Sequence, residues 1–186
     1  PSMSPGAHLL ASWFVATRAG LPVRERRLVT LAGTLPDLDG LGVVADVLTH
    51  GRTAWYETYH HQVGHTLLAG LLLATACGWL ARIRRRPVAL LALGTFHLHL
   101  LFDLVGSRGP DGYRWPIPYL APFTQSGQWS WQGQWLLNGW QNLLILALLL
   151  GWAFAYAARH RHSFIEVVST RLDRAIFQAV AARWPA

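Results

Sequence analysis

This chain of 186 residues has no lysine and a single cysteine. Cys77 is the only cysteine, so the chain can form no internal disulfide and has no CxxC metal or redox motif. Only 13% of the residues are charged, whereas 52% are hydrophobic. Because the mean hydropathy is also positive, the composition is unlike that of a soluble domain and favours a polytopic membrane protein.

The charge that is present has one dominant sign. Sixteen arginines against nine acidic residues give a formal net charge of +7 at pH 7. A basic protein can bind nucleic acid when its charge lines one polar face, but these arginines cluster in segments between apolar runs. That arrangement is typical of membrane topology, and we expect no nucleic-acid partner.

Apolar runs of helical length recur along the chain. Three runs cover residues 65–80, 87–105 and 136–158, and two shorter helices precede them at 8–18 and 24–35, the second ended by Pro36. Since about twenty helical residues cross a bilayer core, the second and third runs qualify alone and the first needs its flanks. The sequence therefore predicts an all-α, polytopic membrane protein with about five membrane-embedded helices.

Two segments differ from these runs. Residues 106–135 are rich in Gly, Pro, Trp, Ser and Gln, which indicates an irregular cap at the membrane interface. Residues 163–184 place apolar side chains on one helical stripe, which predicts an amphipathic helix on the membrane surface. The sequence shows no internal repeat, and we expect residues 1–186 to form a single membrane-embedded domain.

Arginine marks one end of the predicted helices. Helix alternation brings three groups to the same side: Arg18, Arg24, Arg26 and Arg27; Arg82, Arg84, Arg85 and Arg86; and Arg159 with Arg161. The positive-inside rule makes this side cytoplasmic. We thus expect a multi-pass protein of a bacterial inner membrane.

Histidine and aspartate mark the opposite, periplasmic end. The residues that helix alternation brings there are His8, Asp37, Asp39, His60, His61, His65, His97, His99 and Asp103. Each alone has a simpler explanation, since an intramembrane histidine usually packs through a hydrogen bond and the PDLD sequence is a plausible turn. Ionisable groups at one depth of a membrane protein, however, indicate a functional site.

The spacing of these residues suits a metal centre. His99 and Asp103 are four apart and share a helix face, and His61 and His65 have the same relation. Asp37 and Asp39 follow a helix-ending proline, where an extended backbone would point both to the same side. Imidazole and carboxylate ligands together favour zinc, with manganese or iron as alternatives.

In addition, several motifs resemble one family. His8, PDLD at 36–39, YHHQVGHT at 59–66 and FHLHLLFDLVGSRGPDGYRWPIPYL at 96–120 together look like the YdjM-like family of inner-membrane, metal-dependent hydrolases. The resemblance implies a helical membrane protein with a divalent metal centre and hydrolase activity. It aligns His60 with His65, whereas helical spacing pairs His61 with His65, so both histidines remain candidates.

A more distant likeness is to zinc-dependent phospholipase C and P1-type nucleases. Those all-helical enzymes build their centre from an early His, an Asp, a His and a His-x-x-x-Asp helix, in the same order as here. This chain lacks the later His/Glu pair of a trinuclear cluster, since Glu166 falls at the Arg-rich end. The departure favours one or two metal ions, and His97 is a candidate for the second metal or for a supporting contact.

The site suggests a hydrolase that uses metal-activated water. One of Asp37 and Asp39 would bind metal while the other orients or deprotonates the nucleophile. Arg108 and Arg114 would bind a phosphate group, with Trp115 beside them; their alternative roles are pairing with Asp111 and anchoring at headgroups.

These roles lead to a lipid or lipid-linked phosphoester or phosphodiester as the expected substrate, with the bilayer itself as a partner. Amide or ester hydrolysis of a lipid or peptide, and a non-enzymatic metal-stabilised scaffold or sensor, are the alternative hypotheses.

Overall fold

The computed structural model describes residues 4–60, 62–124 and 126–183, and these residues form an all-α fold. The α-helices are α1 (Pro5–Arg18), α2 (Val23–Ala32), α3 (Gly42–Leu48), α4 (Trp55–Tyr59), α5 (Leu67–Leu80), α6 (Arg85–Gly106), α7 (Trp140–His160) and α8 (Thr170–Arg183). Two 3-10 helices cover Leu35–Leu41 and Phe164–Val167. The prediction of an all-α fold is confirmed for the part of the chain described.

Helix α6 is the centre of the bundle. It packs against α5, with which it forms a hairpin, and against α2 and α1. The core of this packing contains Val29 from α2, Cys77 from α5, and Val88 and Ala92 from α6. Cys77 is a buried free thiol. Since α6 contacts α1, α2 and α5, its side chains can reach a site that lies between these helices.

A buried polar cluster ties α1 and α2 to the chain that follows α7. Trp13 is fully buried, and its indole Nε1 donates to Glu166 Oε1 at 3.0 Å. Arg26 donates to both carboxylate oxygens of Glu166, at 2.6 and 2.7 Å. Two charge-assisted bonds to a guanidinium hold this glutamate at the Arg-rich end, where the sequence analysis placed it.

Among the residues that the structure describes, two helices are long and apolar enough to cross a membrane. These are α6 with 22 residues and α7 with 21; α2 and the segment Leu35–Leu48, bent by 50°, would make a third as one broken span. Helix α5 is apolar but has only 14 residues. The prediction of membrane-spanning helices is supported, while the number five is not confirmed and stays a prediction.

The end of α2 differs from the predicted boundary. The helix ends at Ala32, and Pro36 lies in the first turn of the 3-10 helix instead of ending α2. Proline suits a first helical turn because its φ is already helical and its missing N–H has no partner to lose there. The expected extended backbone at Asp37 and Asp39 is therefore wrong.

The start of α5 is also later than predicted. Thr66 is the N-cap, and its hydroxyl accepts from the Ala69 N–H at 3.1 Å. His65 thus precedes the helix, so the helical spacing argued for His61 and His65 does not apply. His61 itself lies outside the described residues.

Between α6 and α7 the described residues form neither helix nor strand, only isolated bridges such as Arg108 to Leu136. Gln134 Nε2 donates to the Asp103 carbonyl at 2.9 Å, and Asn142 Nδ2 donates to the Gly106 carbonyl at 2.8 Å. These bonds join the segment to the C-terminal end of α6. The placement of this cap at the membrane interface stays a prediction.

Candidate metal centre

Asp103 lies in the middle of the histidine–aspartate group. It is buried on α6, one turn after His99, and its Oδ2 is 3.1 Å from His99 Nε2. The same oxygen is 3.3 Å from His65 Nε2, and Oδ1 is 3.3 Å from His8 Nε2. One carboxylate therefore faces the Nε2 atoms of three imidazoles that come from α1, the loop before α5, and α6.

The hydrogen bonds behind two of these imidazoles set their tautomers. His99 Nδ1 lies 3.0 Å from the Gly33 carbonyl, and His65 Nδ1 lies 3.0 Å from Asp39 Oδ2. Because both partners can only accept, each Nδ1 carries the hydrogen, and a neutral ring then has its lone pair on Nε2. Imidazoles held in this way are the usual form of metal-binding histidine.

The two Nε2 lone pairs face each other at close range. His65 Nε2 and His99 Nε2 are 3.2 Å apart, with Asp103 Oδ2 beside both. Two lone pairs and a carboxylate repel one another unless a cation or a proton lies between them. Burial opposes protonation of His65, but its hydrogen bonds with Asp103 and Asp39 outweigh burial and raise its pKa to about 9. The site thus favours positive charge at its centre.

Asp37 completes the group. Its Oδ1 is 3.7 Å from His99 Nε2. One ligand atom from each of His8, Asp37, His99 and Asp103 lies within 4.8 Å of the others, so this group could hold a metal ion. His8 fits that role, since its ring is buried, stacks on His99 at 3.8 Å, and makes no hydrogen bond through Nδ1 within the described chain.

Asp39 lies apart from that group. In a 3-10 helix, residues two positions apart point in different directions, so Asp37 and Asp39 separate. Asp39 Oδ1 lies 2.9 Å from His60 Nδ1, while Oδ2 accepts from the Gly64 N–H at 3.1 Å and from His65 Nδ1. Both oxygens are used to orient histidines, so of the two candidate aspartates Asp37 lies in the group that could hold a metal and Asp39 lies beside it as an orienting residue.

A cavity of about 280 Å³ leads to the group. Its lining includes Asp37, Leu41, Val43, Tyr56 and His60. The Tyr56 ring stacks on His60 at 4.6 Å, and the Trp115 ring lies 5.6 Å from His60 on an edge-to-face contact. His60 therefore lies at the cavity wall, between the orienting carboxylate of Asp39 and an aromatic rim.

The comparison with protein families agrees with the motifs. The model of the YdjM inner membrane protein family matches residues 3–183. The chain belongs to that family. Every residue of the metal group lies in the matched range, and the resemblance to the YdjM-like family is confirmed. No curated protein and no solved structure matches the chain. The likeness to phospholipase C and P1-type nucleases stays a prediction.

The remaining predicted residues of this YdjM-family protein lie outside the four-residue group. His97 Nδ1 donates to the Leu93 carbonyl, and its Nε2 accepts from the Tyr119 hydroxyl at 2.8 Å. Both ring nitrogens are thus engaged, Nδ1 within α6 and Nε2 with the cap, which argues against a second metal there. Arg108 is half-buried and Arg114 is exposed, and within the described residues neither forms an ion pair, including the expected one with Asp111.

Two residues that support this YdjM-family site, Gly33 and Tyr56, belong to no motif that the sequence analysis recognised. A Cβ at Gly33 would overlap the Ser12 side chain and come within 3.0 Å of Thr95 Cβ, so only glycine brings its carbonyl this close to α1, α6 and His99. Tyr56 lies on α4, whose first N–H groups donate to Asp46. A glycine just after a helix is the one signal that could have indicated the first contact.

Proposed function

We propose that this protein is a membrane-bound, metal-dependent hydrolase that acts on a phosphoester or phosphodiester of a lipid or lipid-linked substrate. The observation that carries the proposal is the group of His8, Asp37, His99 and Asp103, three of them buried and Asp37 open to a cavity. A donor set of imidazole and carboxylate is the set that zinc, manganese and iron take in hydrolases. Family membership supports the bacterial inner membrane as its location.

The metal would be held by the four residues of the group, with His65 Nε2 against Asp103 as a further donor. A divalent cation held there would supply Lewis acidity, both to lower the pKa of water and to polarise the bond to be cleaved. Zinc fits best, and one ion accounts for the whole group. Asp37 lines the cavity while the other three side chains are buried, so Asp37 marks the side from which a substrate reaches the centre.

His60 is the residue placed to move a proton. Asp39 Oδ1 accepts from His60 Nδ1, which fixes the orientation of the ring. Its ring forms part of the cavity wall together with Asp37. We therefore propose that His60 takes the proton from the attacking water at Nε2, and that Asp39, predicted as the base or a ligand, acts as the positioning residue for His60 and His65.

The surroundings of the cavity support a lipid substrate. Leu41 and Val43 belong both to its lining and to an apolar outer surface, with 58% and 45% of each residue exposed. On α3, Val47 and Leu48 continue this surface at 69% and 75%. Exposed aliphatic side chains of a membrane protein belong in hydrocarbon, so an acyl chain can lie along α3 while its headgroup meets Asp37.

Arg108 supports a substrate that contains a phosphate. Arg108 follows Ser107, whose hydroxyl donates to Asp103 Oδ1 at 3.0 Å, and its guanidinium pairs with no acid of the described chain. A guanidinium without a carboxylate partner can donate to an anionic group, which favours an anionic substrate. Amides and carboxylic esters can also be cleaved by metal-activated water, but they have no anionic group to bind the Arg108 guanidinium. The distribution of arginines supports a periplasmic location for the site.

The proposal is tested by assaying detergent-solubilised protein on lipid phosphodiesters, phosphomonoesters, carboxylic esters and amides. We expect turnover of a phosphoester that a chelator abolishes and added zinc restores, with carboxylic esters and amides at background. Turnover of esters or amides alone would reverse the substrate assignment.

The same assay, combined with thermal unfolding, tests the alternative that the metal has only a structural role. His8, His99 and Asp103 are each only 1% exposed, as ligands of a structural metal often are. If the chelator lowers the unfolding temperature but none of the four substrate classes is turned over, the metal is a structural one and the hydrolase proposal is wrong.

A further inference from the structure

The Arg-rich end of the bundle contains a cavity that the metal chemistry does not use. It has a volume of about 460 Å³ and lies between α2, the end of α7 and α8. Its charged and titratable lining consists of Arg26, Arg161, His162, Glu166, Asp173 and Arg174. A neighbouring cavity of about 310 Å³ shares Arg161 and Arg174 with it. These two arginines are therefore central to a basic groove.

The acidic residues of the groove are engaged within the protein. Glu166 accepts from Trp13 and from Arg26 through both of its oxygens. Asp173 is buried, and its Oδ1 accepts from the Ser163 N–H at 3.0 Å and from the Ser163 hydroxyl at 2.6 Å. Both carboxylates are thus engaged by other groups of the protein, and neither forms an ion pair with Arg161 or Arg174 in the described chain.

Arg161 and Arg174 are exposed, and neither forms an ion pair with any described residue. Arg174 Nε donates to the Thr170 carbonyl at 3.1 Å, which fixes the stem of this side chain and leaves its terminal nitrogens for another partner. Arg161 directly follows α7, a helix long and apolar enough to span the bilayer. The groove accordingly lies where α7 leaves the hydrocarbon, at the level of lipid headgroups.

His162 adds an acceptor to this groove. Its Nδ1 donates to the His160 carbonyl at 3.1 Å, so a neutral ring has its lone pair on Nε2. That Nε2 atom is buried and has no hydrogen-bond partner in the described part of the chain. A buried acceptor of this kind calls for a donor, and a hydroxyl group is the simplest one.

We propose that this groove binds the headgroup of an anionic phospholipid. Arg161 and Arg174 hold the phosphate, because a guanidinium offers paired donors to phosphate oxygens, and His162 Nε2 accepts from a headgroup hydroxyl. Phosphatidylglycerol has this combination of an anionic phosphate and free hydroxyls. The site lies at the opposite end of the bundle from the metal group and is independent of the proposed hydrolysis.

The test counts lipids bound to the full-length protein by native mass spectrometry. Phosphatidylglycerol, phosphatidylcholine and inorganic phosphate are titrated separately into protein in a neutral detergent. The variant carries Arg161→Gln and Arg174→Gln. Its matched control is Arg171→Gln. Arg171 is an exposed arginine on α8, the helix that carries Arg174, but it does not line the groove.

We expect wild-type protein to bind phosphatidylglycerol in preference to phosphatidylcholine, and the double variant to bind it about 30-fold more weakly, since each arginine near an anionic lipid contributes roughly a factor of 5. The control should change binding less than about twofold. If the double variant does not fold, Arg174→Gln alone should show the fivefold loss. Equal loss in the control, no lipid preference, or saturation of the groove by inorganic phosphate alone would each overturn the proposal.

Discussion

Replacing Asp103 with asparagine should remove the metal from the protein. The Asp103 carboxylate faces the Nε2 atoms of His8, His65 and His99 at 3.1 to 3.3 Å, and its charge offsets that of the cation. Loss of a residue that only orients a ligand weakens metal binding by about 10- to 100-fold, so loss of this carboxylate should exceed about 100-fold. The measurement is the metal content of purified Asp103→Asn protein after dialysis, with the affinity from competition with a chromophoric chelator.

The matched control is Asp111→Asn, the same chemical change in the cap. Asp111 is exposed, and its Oδ1 accepts from the Tyr113 N–H. This variant should keep the wild-type metal content. Normal metal content in Asp103→Asn, or an equal loss of metal in both variants, would show that Asp103 is not a specific ligand of the metal.

Replacing His60 with glutamine should separate catalysis from metal binding. His60 lies at the cavity wall and is held by Asp39 through Nδ1, but it is not one of the four residues that could hold the ion. If it accepts the proton of the attacking water, turnover of the phosphoester should fall by about 10²- to 10⁴-fold with little change in KM. The metal content should stay at the wild-type value, because glutamine can still donate to Asp39.

The control for this variant is His160→Gln, an exposed histidine at the Arg-rich end of α7. It should leave both turnover and metal content unchanged. Wild-type turnover in His60→Gln would exclude His60 as the base. A parallel loss of metal would instead make His60 a metal ligand. That result would contradict the assignment of His60 and Asp39 to positions outside the metal group.

The fold could be predicted where a long apolar pattern determines the structure. The runs at 87–105 and 136–158 correspond to α6 and α7, and both are long enough to span. The predicted helix boundary was wrong at Pro36, because a proline can either end a helix or begin one. Pro36 was interpreted as ending α2, but the same fixed φ also suits the first turn of the 3-10 helix in which it lies.

The site could be predicted in so far as it depends on residues within one helix or on helix alternation. His99 and Asp103 lie together on α6 as their spacing requires, and His8 reaches them from α1. The separate positions of Asp37 and Asp39 could not be predicted, because they follow from the backbone conformation of three residues. The contact from the Gly33 carbonyl to His99 depends on how closely α2 approaches α6, which no pattern in one sequence encodes.

The central claim is that the buried histidines and aspartates bind a divalent metal ion, and the metal content of the purified wild-type protein tests it most directly. Elemental analysis should find about one divalent metal per chain, most simply zinc, and anomalous scattering should place it among His8, Asp37, His99 and Asp103. Protein that contains no stoichiometric metal, and takes up none from solutions of zinc, manganese or iron, would contradict the account.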